Sequence, residues 1–407
     1  MIEVTSTGEA DLPTQQRKDA AITASIFGLG ALLNASLLCA PAIASQLSAE
    51  LHFSPQYVGY FFSIEFLGYA LAGILSTYAV AKFKWRKIAV IGLAIFIAGN
   101  FASPYFGSKV DQLFIIRAVT ATAGCLINVI CLAAAGRTRD PSRTYAVFVI
   151  GQLLFGVFGL AVLPIVFQHG GIANYYRIVA GLSIFALMFA VPFLPDSAGQ
   201  RGSEEHKTKG THSQLLASCL AFLWGLLFYA SLSGVWTFVG AIGQTLGLDA
   251  AQAARFLSIA TVAGIVGSGS AAVIGGQRSK RLLINSGFAC MLLSVLAFML
   301  HGSQAVFFVA TLGFKFAWTF VLPFVFSAIS DSDRAGRLFA LVCVSIGVGL
   351  AIGPGVAGYL VTVSGNFNIM LAASATCCFA AWASISLLSK SDSLTELGPG
   401  ASVTNTR

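Results

Sequence analysis

The sequence predicts an all-α membrane protein of 12 transmembrane helices, arranged as two parallel six-helix pseudo-repeats. Three observations lead there. Of 407 residues, 57% are hydrophobic and only 10% charged, with a mean hydropathy of +0.82; a soluble domain is about 45–50% apolar and 25% charged. The apolar residues fall in runs of about 20, the length a helix needs to cross a bilayer. The second half of the chain also repeats the first. With so few charges a fold of this size could not cover its surface in water, which excludes a soluble enzyme.

Twelve spans are expected at 20–44, 56–80, 88–104, 113–136, 144–167, 178–195, 213–240, 252–276, 282–301, 304–329, 338–363 and 368–389. Span 1 lacks a short apolar core followed by a small-residue cleavage site, so it reads as a retained helix rather than a removable signal. Ile2 stands where myristoylation needs glycine, and no C-terminal cysteine invites prenylation. Spans 2 and 3 are divided by the basic loop Lys82-Phe83-Lys84-Trp85-Arg86-Lys87, and spans 8 and 9 by Gln277-Arg278-Ser279-Lys280-Arg281. Between spans 6 and 7 lies 196–212, rich in glycine, serine and mixed charge, which reads as a flexible linker. The ends 1–19 and 390–407 read as disordered tails. The resulting domains are a tail (1–19), a six-helix bundle (20–195), the linker (196–212), a second bundle (213–389) and a tail (390–407).

Basic residues in the loops set orientation. With the N-terminus inside, the cytoplasmic loops hold 19 Lys and Arg, and the outer loops hold only Lys109, Arg177 and Arg255. Both termini are therefore expected in the cytoplasm, in a plasma (bacterial inner) membrane. The net charge of +8 is then a topology signal, and nucleic acid is not expected as a partner. All eight cysteines fall inside the expected spans, where they read as small apolar packing residues.

The repeat appears at a shift of about 195 residues. Leu33-Asn34-Ala35-Ser36-Leu37 lies over Phe228-Tyr229-Ala230-Ser231-Leu232, and Phe61-Phe62-Ser63-Ile64 over Phe256-Leu257-Ser258-Ile259. Arg143-Thr144-Tyr145-Ala146-Val147 matches Arg337-Leu338-Phe339-Ala340-Leu341. Six spans per copy give both copies the same orientation, a known transporter plan. With the basic 2–3 and 8–9 loops and the polar centre, the chain resembles the major facilitator superfamily over its whole length. The helix-4 signature fits as Arg117-Ala118-Val119-Thr120-Ala121-Thr122-Ala123-Gly124, and a Gly-Pro element appears on span 11 as Gly353-Pro354-Gly355-Val356-Ala357-Gly358. The basic loops lack the acid of the family's signature. Span 5 has Gly151, Gly156 and Gly159 without the Gly-Pro pair that the family's exchangers carry there.

An ionisable residue at the bilayer centre costs about 2.5–3.5 kcal/mol on insertion scales and marks function. Away from the span ends, only Glu65, Arg117 and Lys315 among the Asp, Glu, Lys and Arg residues lie within spans. The repeat offset places Arg117 over Thr311, one turn from Lys315, so the two cations occupy nearly equivalent positions in the two halves. The resemblance implies that spans 1, 4, 7 and 10 line a central cavity, where two cations would attract an anion. Arg would grip it bidentately and Lys would add a point charge. The alternative is structural: Arg117 pairs with Glu65, and Lys315 reaches backbone carbonyls. If Glu65 and Arg117 meet, a solute that competes for the guanidinium alters the proton affinity of the acid. Glu65 and Arg117 are thus candidates for proton coupling or for a gate.

Helical spacing extends these faces through Thr120, Gly124 and Asn128 beside Arg117, and through Thr311 and Trp318 beside Lys315. It adds Asn34 on span 1, Gln152 on span 5, and Gly225, Tyr229 and Trp236 on span 7. The candidate solute-binding residues are Arg117, Lys315, Trp318, Tyr229, Asn34, Asn128 and Gln152; the candidate gating residues are Gly353, Pro354 and Gly358. For each aromatic and amide, helix packing is the competing reading.

The expected function is secondary active transport by alternating access, proton-coupled, of a small organic anion or anionic amphipath. A proton-driven efflux carrier for a hydrophobic drug or metabolite is the alternative. No phosphate-cradling loop supports ATP use, and no cofactor or metal is expected. A membrane enzyme would need paired acids, a Ser/His/Asp set or metal ligands at membrane depth, against a single intramembrane Glu and no intramembrane His, and a sensor would usually bring a signalling domain larger than these tails. The expected partners are the solute, protons and the bilayer, with the protein a monomer.

Overall fold

The computed structural model describes residues 12–107, 109–196, 212–274, 279–300, 303–332 and 338–396. They form α1 (Leu12–Leu33), α2 (Ala35–Leu38), α3 (Ala40–Glu50), α4 (Pro55–Lys82), α5 (Trp85–Ala102), α6 (Val110–Ala135) and α7 (Pro141–Phe189). These are followed by α8 (His212–Thr245), α9 (Ala250–Ile274), α10 (Lys280–Met299), α11 (Gln304–Ser332), α12 (Leu338–Ser364) and α13 (Asn368–Glu396).

Among the described residues ten stretches are long and apolar enough to cross a membrane, and one of them, Arg143–Phe193, has 51 residues. At 1.5 Å per residue it would reach about 75 Å, against a hydrocarbon core of about 30 Å. It holds two spans, because Gly170 and Gly171 leave helical geometry; Gly171 has φ 62° and ψ −158°, a region open essentially to glycine alone. The first span is the run α1–α3, broken at Asn34 and Cys39. Pro41 sits in the first turn of α3 and has no N–H to give to Leu37. The described residues thus supply the 12 membrane helices expected from the sequence.

The helices overrun the expected boundaries where charge replaces apolar residues, because backbone hydrogen bonding does not stop at the hydrocarbon edge. α1 begins at Leu12 and α13 ends at Glu396, inside the stretches read as tails. The linker, apart from Asp196 and His212, lies outside the described residues. α7 starts where Pro141 follows the cap Asp140, whose carboxylate accepts from the Arg143 N–H at 3.0 Å.

The chain divides into two compact units. The first comprises Met1–Phe53 and Ile64–Gly202; the second comprises Ser54–Ser63 and Ser203–Arg407. In the first, α1 packs on α7 and α6, and α5 on α6 and α7. In the second, α8 packs on α12 and α13, and α11 on α9 and α10. Membrane helices gain little from hydrophobic exclusion and depend on close packing and interhelical hydrogen bonds. Accordingly the Ser231 hydroxyl donates to the Ser374 carbonyl at 2.8 Å, joining α8 to α13. The Trp382 indole donates to Asn285 at 2.9 Å, joining α13 to α10.

Candidate functional site

In the first unit, Glu65 on α4 and Arg117 on α6 are 3% and 2% exposed and form an ion pair, Arg117 Nε donating to Glu65 Oε1. Arg117 Nη1 also donates to Asn100 Oδ1 at 3.0 Å and Ser103 Oγ at 3.2 Å. The guanidinium carbon lies 4.9 Å from the ring centre of Tyr176 on α7. Four helical segments therefore meet on one cation.

Local sequence explains the meeting. Gly68, one turn beyond Glu65, lies where a Cβ would press on the backbone of Ala121 and Thr122, so α4 and α6 can approach closely. The Asn100 amide donates to the Phe96 carbonyl at 2.8 Å, which turns its oxygen toward Arg117. Ser103 opens the short 3-10 turn Ser103–Phe106, set by Pro104. A bare charge at this depth would be costly, and a paired, hydrogen-bonded one is not.

Around this pair the other candidates differ in how they are used. Asn34 sits at the α1–α2 break; its amide donates to the Gly30 carbonyl at 2.8 Å and its oxygen accepts from the Tyr69 hydroxyl, one turn beyond Glu65. Asn128 is 6% exposed, and among the described residues neither of its polar atoms has a hydrogen-bond partner. Gln152 is half-buried on α7. Thr120 and Gly124, which share the Arg117 face, pack against Gly99 and Phe96 of α5.

In the second unit, Lys315 on α11 is 1% exposed. Its Nζ lies 3.7 Å from the ring centre of Trp236 on α8 and 3.9 Å from that of Trp318. The two indoles meet edge to face at 6.0 Å, forming two walls of a cage that favours a cation through the negative ring faces. Thr311, one turn away, is fully buried and donates to the Phe307 carbonyl at 2.7 Å. Tyr229 packs instead with Phe228 and Trp224, at ring separations of 5.4 and 6.4 Å, two turns from Trp236. Gly353 and Gly358 lie where a Cβ would meet the carbonyls of Ala230 and Pro55, and the Pro354 carbonyl lies over Gly59.

The structure thus joins Glu65 to Arg117 and Lys315 to Trp318, and adds Trp236 to the latter. Sequence reading missed Asn100, Ser103, Tyr69 and Tyr176. Asn100, an amide inside an apolar span, was the one detectable signal. Among the described residues no cluster of His, Cys, Asp or Glu could hold a metal ion.

Comparison with known proteins gives the family. The sequence pattern described as Major Facilitator Superfamily matches residues 24–342. No curated protein matches. Among solved structures the chain is similar to the nucleoside transporter NupG at 14% identity, covering 91% of this chain and 98% of that one with a TM-score of 0.70. A point mutant of the same transporter gives 14% identity, 93% and 99% coverage, and 0.69. The D-xylose-proton symporter gives 12% identity, 89% and 97% coverage, and 0.67. The match spans well over half of the sequence, so the chain belongs to the Major Facilitator Superfamily and is a membrane transporter, not an enzyme.

Proposed function

We propose that this transporter carries a small organic anion by alternating access in symport with protons, and that the Glu65–Arg117 pair is its coupling element. The observation that carries this reading is the burial of an acid on α4 against a base on α6, with Asn100, Ser103 and Tyr176 holding the base. While Glu65 is ionised it neutralises Arg117. Protonation of Glu65 removes the negative charge and releases the guanidinium for an anionic solute. Conversely, a solute that engages Arg117 withdraws it from Glu65 and favours the protonated acid. Proton and anion therefore bind with positive cooperativity, which by linkage is reciprocal, and move together.

Lys315, set between Trp236 and Trp318, offers the solute a second buried cation with aromatic walls, suited to an acid with an apolar body. Asn128, whose polar atoms have no hydrogen-bond partner among the described residues, is a further solute contact, and Asn34 and Gln152 contribute polar surface. Tyr229 supports the wall through its aromatic cluster. Gly353, Pro354 and Gly358 serve the rocking motion, since they permit backbone-to-backbone contact along α12. In this reading the six-span halves 20–195 and 213–389 act as the moving bodies of a monomer in a plasma or bacterial inner membrane, with the termini and the linker 196–212 cytoplasmic.

The test is uptake of radiolabelled organic acids into proteoliposomes under an imposed pH gradient. Accumulation of an acid that a protonophore abolishes is expected. Accumulation of uncharged nucleosides or sugars, with no acid carried, would overturn the anion assignment. Extrusion of a hydrophobic drug or metabolite driven by the proton gradient would favour the efflux reading.

A further inference from the structure

On the outer face of the first unit, α4, α5 and α6 enclose an open groove of about 600 Å³, within the roughly 300–1,000 Å³ typical of ligand sites. Its walls include Leu71, Leu75, Ile91, Ile95 and Val119, all substantially exposed. The lining is apolar except at Thr122 and at one end, where Phe83 and Lys87 close it. That end coincides with the start of α5. Lys84 stands at the cap position, Lys87 lies within the first turn, and no acidic residue occurs there. Lys84 and Lys87 are exposed, and among the described residues no carboxylate lies within ion-pairing distance of either. Neighbouring bases are otherwise engaged: Arg86 donates to the Leu194 carbonyl at 2.8 Å, and Lys82 lies over the Tyr78 ring at 4.9 Å. The backbone N–H of Trp85 is taken by the Asp196 carbonyl at 3.0 Å. The N–H groups of Arg86 and Lys87, like any in a first helical turn, have no intrahelical acceptor and favour an anion.

We propose that this groove holds one anionic phospholipid, its acyl chain along Leu71, Leu75, Ile91 and Val119 and its phosphate at Lys84 and Lys87. An apolar channel lined at one end by Lys87, with the exposed Lys84 three residues before it in the chain, has the charge and shape complementarity of a lipid with a negative headgroup. A zwitterionic lipid would fill the channel equally well but would not neutralise both lysines. The groove is lined by exposed side chains and does not include the buried Arg117 of the same unit, so its ligand is a resident of the bilayer rather than the transported solute.

Native mass spectrometry of the full-length protein, released from detergent after titration with phosphatidylglycerol or with phosphatidylcholine of identical chains, tests this. One retained phosphatidylglycerol per protein is expected, preferred at least tenfold. Lys84→Gln with Lys87→Gln should reduce its affinity about fivefold for each lysine removed, while Lys109→Gln changes nothing. Val119→Trp, at an exposed position of the groove wall, should displace both lipids. Equal retention of the two lipids, an undiminished preference in the double glutamine variant, or retention of inorganic phosphate in place of lipid would each overturn the proposal.

Discussion

Glu65 and Arg117 are buried together, each offsetting the other's charge. Arg117→Ala leaves an acid 3% exposed without its guanidinium, and breaking a buried pair in this way costs about 3–5 kcal/mol. Thermal melting in detergent should show the loss, and Arg117→Met combined with Glu65→Leu should recover most of it while abolishing uptake. Lys315 lies between the ring faces of Trp236 and Trp318. Lys315→Met keeps the packing volume, so melting should change little while anion uptake falls at least tenfold. Unchanged uptake in that variant would remove Lys315 from the solute site. These three residues were legible in the sequence, since an ionisable group inside an apolar run declares itself. Asn100, Ser103 and Tyr176 were not. A polar or aromatic residue acquires such a role only through which helices become neighbours, and one chain's spacing does not reveal that.

Among the elements, the approach of α4 to α6 decides whether the pair can form. Gly68 is the contact point, and a side chain there falls on the Ala121 and Thr122 backbone. Gly68→Leu should therefore destabilise the protein by about 1–3 kcal/mol or more through overpacking, seen as a lower melting temperature and a lost pH response of uptake. The same spacing rules explain which boundaries were readable. Apolar runs marked the spans, and the gap expected between spans 5 and 6 contains the break of α7 at Gly170 and Gly171. The extension of α1 back to Leu12 and of α13 out to Glu396 was hidden, because helical hydrogen bonding continues through charged residues that hydropathy assigns to tails. Pro41 was a visible reason for the break at Cys39, but the turn at Asn34 depends on its own bonds to Gly30 and Tyr69.

For the whole molecule, family and fold were legible from twelve apolar runs, one repeat offset and two basic loops, since bilayer thickness restricts the answers so strongly. Solute and coupling ion depend on a few side chains, and their assignment rests on the pair in the first unit. If protonation of Glu65 releases Arg117, anion binding strengthens as pH falls. An allosteric coupling of ordinary size, about 1–3 kcal/mol, makes that at least fivefold, measurable by isothermal titration at several pH values. The most direct test compares wild type with Glu65→Gln in proteoliposomes, reading pH-driven accumulation and solute counterflow on the same preparation. The expected result is that Glu65→Gln abolishes accumulation and retains counterflow, because a permanently neutral side chain frees Arg117 but carries no proton. Proton-driven accumulation at the wild-type level in Glu65→Gln would contradict the account.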